Sequence, residues 1–246
     1  MSIAAAAACS SPQPDTSIAT QKCDLAEPPP ALAFMTSLPI YWPTDFFSVD
    51  VKETAIPWQR AVLERCNTLV PIDTLSKDEA GFDPLAGHDR LAIIQPRGLS
   101  PLDNVALDDW VRRGGQLLLV LDPMLTGDYD FPLGDPARPV DTALIPPVVE
   151  RWGLEVSFDD GQVPEPRSEV IGAASVPVLM AGVISRLEST DKRCGIFGNG
   201  VVASCQIGKG WVTIVADAAV FEHRAEGGEN ETSPLLHLLY YSFQHY

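Results

Sequence analysis

The sequence predicts an α/β fold: a three-layer α/β/α domain around a mostly parallel sheet, with an antiparallel hairpin toward the C-terminal part. Short, continuously apolar runs such as "LAIIQ" (91–95) and "QLLLVL" (116–121) have the composition of strands buried on both faces. Amphipathic segments separate these runs, the alternation expected of a parallel sheet covered by helices. The segment "CGIFGNGVVASC" (194–205) centres on Asn199-Gly200, the strongest short signal for a two-residue hairpin turn.

Taken in order, residues 1–30 read as a leader remnant and flexible tether, and 31–246 as a single domain without internal repeat. In "MSIAAAAACSSPQPDTS" a small-residue run directly precedes Cys9. That resembles the tail of a bacterial lipoprotein signal, in which the cysteine is lipidated. No basic residue precedes the run, and it is shorter than an apolar stretch of about 7–15 residues with a charged flank. Either the natural start lies upstream of Met1, or this is a flexible Ala-rich tail. Five prolines between 10 and 30 make the following segment an extended tether.

"ALAFMTSLPIYW" (31–42) reads as a first strand running into a loop, and "PWQRAVLERCNTL" (57–69) as a helix with Pro57 at its first turn. "VPIDTL" (70–75) and "LAIIQP" (91–96) follow as strands. Ser100 is a good N-cap, with Asp103 completing a capping-box-like start and Pro101 at the first helical position. Asn104, Asp108 and Arg112 form a polar stripe, while Leu102, Val105, Ala106 and Trp110 are expected to pack onto the sheet. Arg112 and Arg113 suit the negative end of the helix dipole, and Gly114 can end it in a left-handed conformation. At the C-terminus, "SPLLHLLYYSFQHY" begins with Ser233 as N-cap and is apolar nearly all round, so burial on more than one side is expected.

A formal charge of −16 argues against nucleic acid and against a membrane surface, both of which attract clustered Lys and Arg. No run approaches the roughly 18 apolar residues of a membrane span. At 46% hydrophobic content the 246 residues can bury a real core.

"LSPLDNVALDDWVRRGGQLLLVLDP" (99–123) resembles the strand-helix-Gly-Gly-strand unit of class I glutamine amidotransferase-like domains, a flavodoxin-like architecture. More narrowly, it is similar to the "ABC-type uncharacterized transport system" domains, which include the gliding-motility auxiliary component. "LIPPVVERWGLEVSFDD" (144–160) and "CQIGKGWVTIVADAAVF" (205–221) extend the resemblance. It implies a non-catalytic envelope-side auxiliary or ligand-sensing domain whose partners are ABC transporter membrane or ATPase components. Enzymes of that fold carry a cysteine at the strand-to-helix elbow. Here the elbow reads Asp122-Pro123-Met124, and no cysteine lies between Cys66 and Cys194. Glu222 and His223, adjacent in sequence, are expected to point to opposite faces of an extended segment.

Asp122 and Asp217 both end apolar strands, where α/β sheets build sites, and are the ligand-binding candidates. With Glu222 and His223 they offer an alternative, a divergent hydrolase; a structural interaction module is another. The plainer role for both aspartates is to cap turns, in which case Asn would serve nearly as well. No His-x-x-x-His, Cys-x-x-Cys, Gly-x-Ser-x-Gly or phosphate-loop pattern occurs, so no metal and no cofactor is expected. Counting outward from Asn199-Gly200 places Cys194 opposite Cys205, within disulfide range. That pairing and the leader together point to the cell envelope. Cys23 and Cys66 have no evident partners.

Overall fold

The computed structural model describes residues 28–41, 56–172, 174–187, 194–224 and 233–243. The predicted leader with Cys9, and Cys23, lie outside them. Seven strands form one sheet: β1 (Ala31–Thr36), β2 (Thr68–Pro71), β3 (Arg90–Ile94), β4 (Gln116–Val120), β9 (Cys194–Phe197), β10 (Val202–Ile207) and β11 (Gly210–Val215). Their spatial order is β2-β1-β3-β4-β11-β10-β9. The first five run parallel, and β10 and β9 are antiparallel additions. This is the predicted α/β architecture, a mostly parallel sheet with antiparallel strands added toward the C-terminal part.

Two apolar cores lie on the two faces of the sheet. Leu32, Phe34, Ala92, Ile94, Leu118 and Val120 face one way, toward helices α1 (Trp58–Leu63), α4 (Ala219–Glu222) and α5 (Pro234–Phe243). Ala33, Leu91, Ile93, Leu117 and Leu119 face the other, toward α2 (Pro101–Arg113) and α3 (Pro147–Arg151). The alternation along each strand explains why "LAIIQ" and "QLLLVL" read as continuous apolar runs. Helices α1 and α2 lie on opposite faces because the chain steps one way from β1 to β2 and the other way from β3 to β4. Right-handed crossovers then place their helices on opposite sides. Two small antiparallel pairs flank the sheet: β5 (Leu154–Ser157) with β8 (Val183–Arg186), and β6 (Arg167–Ile171) with β7 (Ala174–Val178).

The structure alters several expectations. Helix α1 stops at Leu63, well short of Leu69, because the Asn67 side chain donates to the Leu63 carbonyl (3.1 Å) and Thr68 enters the sheet opposite Ala31. The strand expected over 70–75 is therefore displaced to Thr68–Pro71. Helix α2 starts as predicted: Ser100 Oγ accepts from the Asp103 amide, Asp103 bonds back, and Gly114 ends the helix at φ 128°. Its buried side differs, however. Leu107, Trp110 and Val111 enter the core, whereas Leu102 and Val105 are 68% and 61% exposed. The polar stripe turns inward instead. Asp108 accepts from Arg112 Nε (2.9 Å), Arg151 Nε (2.7 Å) and Trp152 Nε1 (2.9 Å), and Asn104 Oδ1 accepts from the Val148 amide (3.2 Å). These bonds join α2 to α3; burial opposes the Asp108 charge, but the hydrogen bonds from Arg112, Trp152 and Arg151 outweigh it and hold its pKa below the ordinary carboxylate value. In α5, Leu235, Leu238, Leu239 and Phe243 are buried while Tyr240 is 48% exposed, so one broad face is covered rather than all sides.

Asp103 does more than cap. Its Oδ1 accepts from Thr74 Oγ1, the Leu75 amide and the Ser76 amide, each at 2.9 Å, so it sutures the loop after β2 to the start of α2. Burial opposes its charge, but the bonds from Ser100, Leu75, Ser76 and Thr74 outweigh that and hold its pKa below the ordinary carboxylate range. We expect Asp103→Ala to cost about 3 kcal/mol in urea unfolding at neutral pH, from a lost cap and orphaned backbone donors. That contribution is present above the unfolded carboxylate range and is lost as pH falls through the folded value.

The hairpin has the predicted register, with Phe197 opposite Val202 and Cys194 opposite Cys205. Asn199 and Gly200 take φ of 52° and 93°, and the Val201 amide bonds to the Gly198 carbonyl (2.9 Å). Glu169 on β6 accepts from Asn199 Nδ2 at both oxygens (3.0 and 3.1 Å), pinning the turn. Cys194 and Cys205 form a disulfide with Cα atoms 4.1 Å apart. Cys66 is also disulfide-bonded, which sequence spacing did not reveal. Replacing both Cys194 and Cys205 by serine should lower stability by about 2–3 kcal/mol in denaturant titration, the chain-entropy value for so short a loop.

Candidate functional site at the strand ends

The order β2-β1-β3-β4-β11 reverses direction between β1 and β3, and ligands of open α/β sheets bind outside such a reversal. In this chain the segment around Val140 occupies that crevice. Ser37, just past β1, donates to the Gln95 carbonyl (2.6 Å) and accepts from the Val140 amide (3.2 Å). Gln95, just past β3, is fully buried at φ 46°, a costly conformation for a residue with a Cβ. Its amide donates to the carbonyls of Asp122 and Val140 (both 2.9 Å) and accepts from the Asp122 amide (2.8 Å).

Asp122 and Asp217 lie at the ends of β4 and β11, 0% and 1% exposed. Asp122 Oδ1 accepts from the Met124 amide (2.7 Å) and Oδ2 from the Ala218 amide (2.8 Å). Asp217 Oδ1 accepts from the Ala219 amide (2.6 Å) and Oδ2 from the Leu179 amide (2.7 Å). Each carboxylate thus caps its own turn and reaches across to a second segment. Burial, then the neighbouring Asp217 carboxylate, pushes Asp122 up to about 8. Burial, with a smaller contribution from Glu222, pushes Asp217 up to about 7.

Glu222 ends α4 and receives the loop after β4. Its Oε2 accepts from the Thr126 amide and hydroxyl (both 3.0 Å), and its Oε1 from the Gly127 amide (2.8 Å) and Tyr129 hydroxyl (2.7 Å). Burial and the Glu222 charge raise the Tyr129 pKa well above the ordinary phenol value. His223 Nε2 lies 2.9 Å from Thr126 Oγ1. Glu222 and His223 therefore meet at one hydroxyl. The expectation that they point apart fails because the segment is the end of a helical turn, not an extended strand. Among the described residues no group of three or more His, Cys, Asp or Glu side chains can hold a metal ion.

No family model and no curated protein matches the chain. Among solved structures it is similar to an exo-β-1,4-mannosidase from Opitutaceae bacterium strain TAV5, at 14% identity and a TM-score of 0.45 over 79% of this chain and 32% of that one. It is similar to a β-galactosidase from Rahnella sp. R3, at 14% identity and a TM-score of 0.45 over 86% of this chain and 31% of that one. A cytoplasmic protein of Salmonella typhimurium LT2 aligns at 15% identity with a TM-score of 0.37, covering 72% of this chain and 77% of that one. The chain spans under a third of the length of both glycosidases, and at these identities the likeness is one of fold alone.

The geometry revises the expected effect of Asp122→Asn. Both oxygens accept backbone N–H groups, so the Asn amide must set its NH2 against one of two buried donors, at about 1–3 kcal/mol. Against this, the variant no longer buries a charge. With a folded pKa of about 8 against an ordinary aspartate value of 3.8, Asp122 favours folding below that window and loses this contribution as pH rises through it. Thermal unfolding should show Asp122→Asn costing about 2 kcal/mol at pH 5 and clearly less at pH 8. An effect equal at both pH values would show that the carboxyl is charged throughout.

Proposed function

We propose that this chain is a non-catalytic, envelope-side auxiliary or ligand-sensing domain that works beside the membrane and ATPase components of an ABC-type transport system. The observation that carries the non-catalytic part is the filled crevice. Ser37 and Gln95 are consumed in holding Val140, and every oxygen of Asp122 and Asp217 accepts a backbone N–H. A hydrolase using these aspartates would need a substrate to reach groups that are 0% and 1% exposed. The oxidised state of Cys66, Cys194 and Cys205 supports the envelope side, since such bonds persist in oxidising compartments. The transport association rests on the resemblance carried by residues 99–123, 144–160 and 205–221.

The reading is tested in the native cell. Detergent-extracted protein should carry labelled fatty acid that Cys9→Ser removes, should show a linked Cys194–Cys205 peptide, and should co-purify with a permease and an ATPase. Recovery from the cytosol with both thiols free would sink the envelope assignment.

A further inference from the structure

Cys66 is disulfide-bonded, and the chain holds few possible partners for it. Its cysteines stand at 9, 23, 66, 194 and 205. Cys194 and Cys205 are bonded to each other, which leaves Cys9 and Cys23.

Cys66 sits half-buried in the turn between α1 and β2, where its amide donates to the Leu63 carbonyl (3.4 Å). Thr68, two positions on, grips the chain that enters β1. Its amide donates to the Pro30 carbonyl (2.9 Å) and its hydroxyl to the Pro29 carbonyl (3.3 Å). Strands β1 and β2 run parallel, with Ala31 opposite Thr68, so the residues preceding both lie at one end of the sheet. The chain at 28–30 therefore arrives beside the turn that holds Cys66, and Pro28 and Pro29 are exposed there.

Cys23 lies seven positions upstream of Pro30, and Cys9 twenty-one. Seven residues extend to about 23–25 Å at most, ample to turn back on a site two residues from Thr68. Measured through the Thr68–Pro30 contact, the loops to be closed are about 9 residues for Cys23 and about 23 for Cys9. With a closure cost growing as (3/2)RT ln n, the nearer thiol is favoured about fourfold. Lipidation points the same way, because a lipidated Cys9 has lost the thiol hydrogen that a disulfide-forming sulfur must give up.

We propose that Cys66 is bonded to Cys23, which staples the N-terminal segment to the α1–β2 turn and leaves Cys9 as the odd cysteine. The choice of Cys23 holds on loop length; only the lipid on Cys9 rests on the envelope-side reading. The bond forms by exchange with a disulfide-bearing oxidant. One S–S bond forms in the protein and one breaks in the oxidant, which takes up both thiol hydrogens and leaves as two thiols. The staple moves the point where the tether meets the domain from Pro30 to Cys23. The longest possible reach from Cys9 then falls from about 76 Å to about 50 Å, which holds a lipid-anchored domain nearer its membrane.

The test is a tryptic map of the full, unacylated chain, oxidised in a glutathione buffer and blocked with iodoacetamide without reduction. Cleavage after Lys22, Lys52, Arg65 and Lys77 puts Cys9, Cys23 and Cys66 on separate peptides, 1–22, 23–52 and 66–77. Peptide 23–52 should be found linked to 66–77, about fourfold or more in excess of any link from 1–22, and reduction should separate the pair. Cys9→Ser should leave that link in place. Equal or greater linkage of 66–77 to 1–22, recovery of 66–77 as the alkylated free thiol, or loss of the link in Cys9→Ser would overturn the proposal. The wild-type map decides even if the variant misfolds. Because the protein mapped carries no lipid, fatty-acid labelling at Cys9 in the native cell can fail without the staple failing, and the reverse.

Discussion

The carboxylate of Asp122 is the interaction on which the carboxyl end of the sheet depends. Desolvating a carboxyl group without a cation is costly, and the protein tolerates it because one side chain closes two backbone turns. Oδ1 folds the chain back at Met124, and Oδ2 fixes Ala218 on the neighbouring strand's exit. Through Gln95 the Asp122 backbone is also tied to β3 and to Val140. Asp217 repeats the device between Ala219 and Leu179. Two of the three non-glycine residues with positive φ among the described residues, Gln95 and Met180, lie in or next to these clamps. The strain is thus held where the hydrogen bonding is densest.

Much of this was legible in the sequence because it is local. The Ser100–Asp103 cap, the Gly114 stop and the Asn199-Gly200 turn depend on residues a few positions apart, and the Cys194–Cys205 pairing follows by counting from the turn. Asp122 and Asp217 were visible because a charge that ends an apolar run stands out. What escaped depends on distant partners. Nothing near Asp103 announces Thr74, Leu75 and Ser76, and nothing near Glu222 announces Thr126 and Tyr129. Gln95 was in plain view at the end of "LAIIQ", and a polar residue there was a signal that it would be spent on the backbone. The inward turn of the α2 polar stripe was unreadable for the same reason: Arg151 and Trp152, which meet Asp108, lie on another helix.

Close backbone approach places further limits on the sequence. A Cβ at Gly210 would meet the Val111 carbonyl oxygen at 2.0 Å and that of Gly115 at 2.4 Å. Gly208, at φ 63°, would meet Arg112 backbone atoms at 2.8 Å. The glycines of "GKG" therefore allow the β10–β11 turn to sit against the end of α2. They have no need of a phosphate to explain them.

The two margins of the sheet have a consequence for how the protein behaves when crowded. An outermost strand offers unpaired N–H and C=O groups that can recruit a strand from another molecule and seed aggregates. Here β2 is four residues long and ends at Pro71, which has no N–H to offer. At the far margin β9 is equally short, and the Cys194–Cys205 bond ties it covalently to β10 at the last pair of its ladder. That strand cannot peel away while the bond is intact. Many copies held side by side would find little at either margin from which to grow a shared sheet.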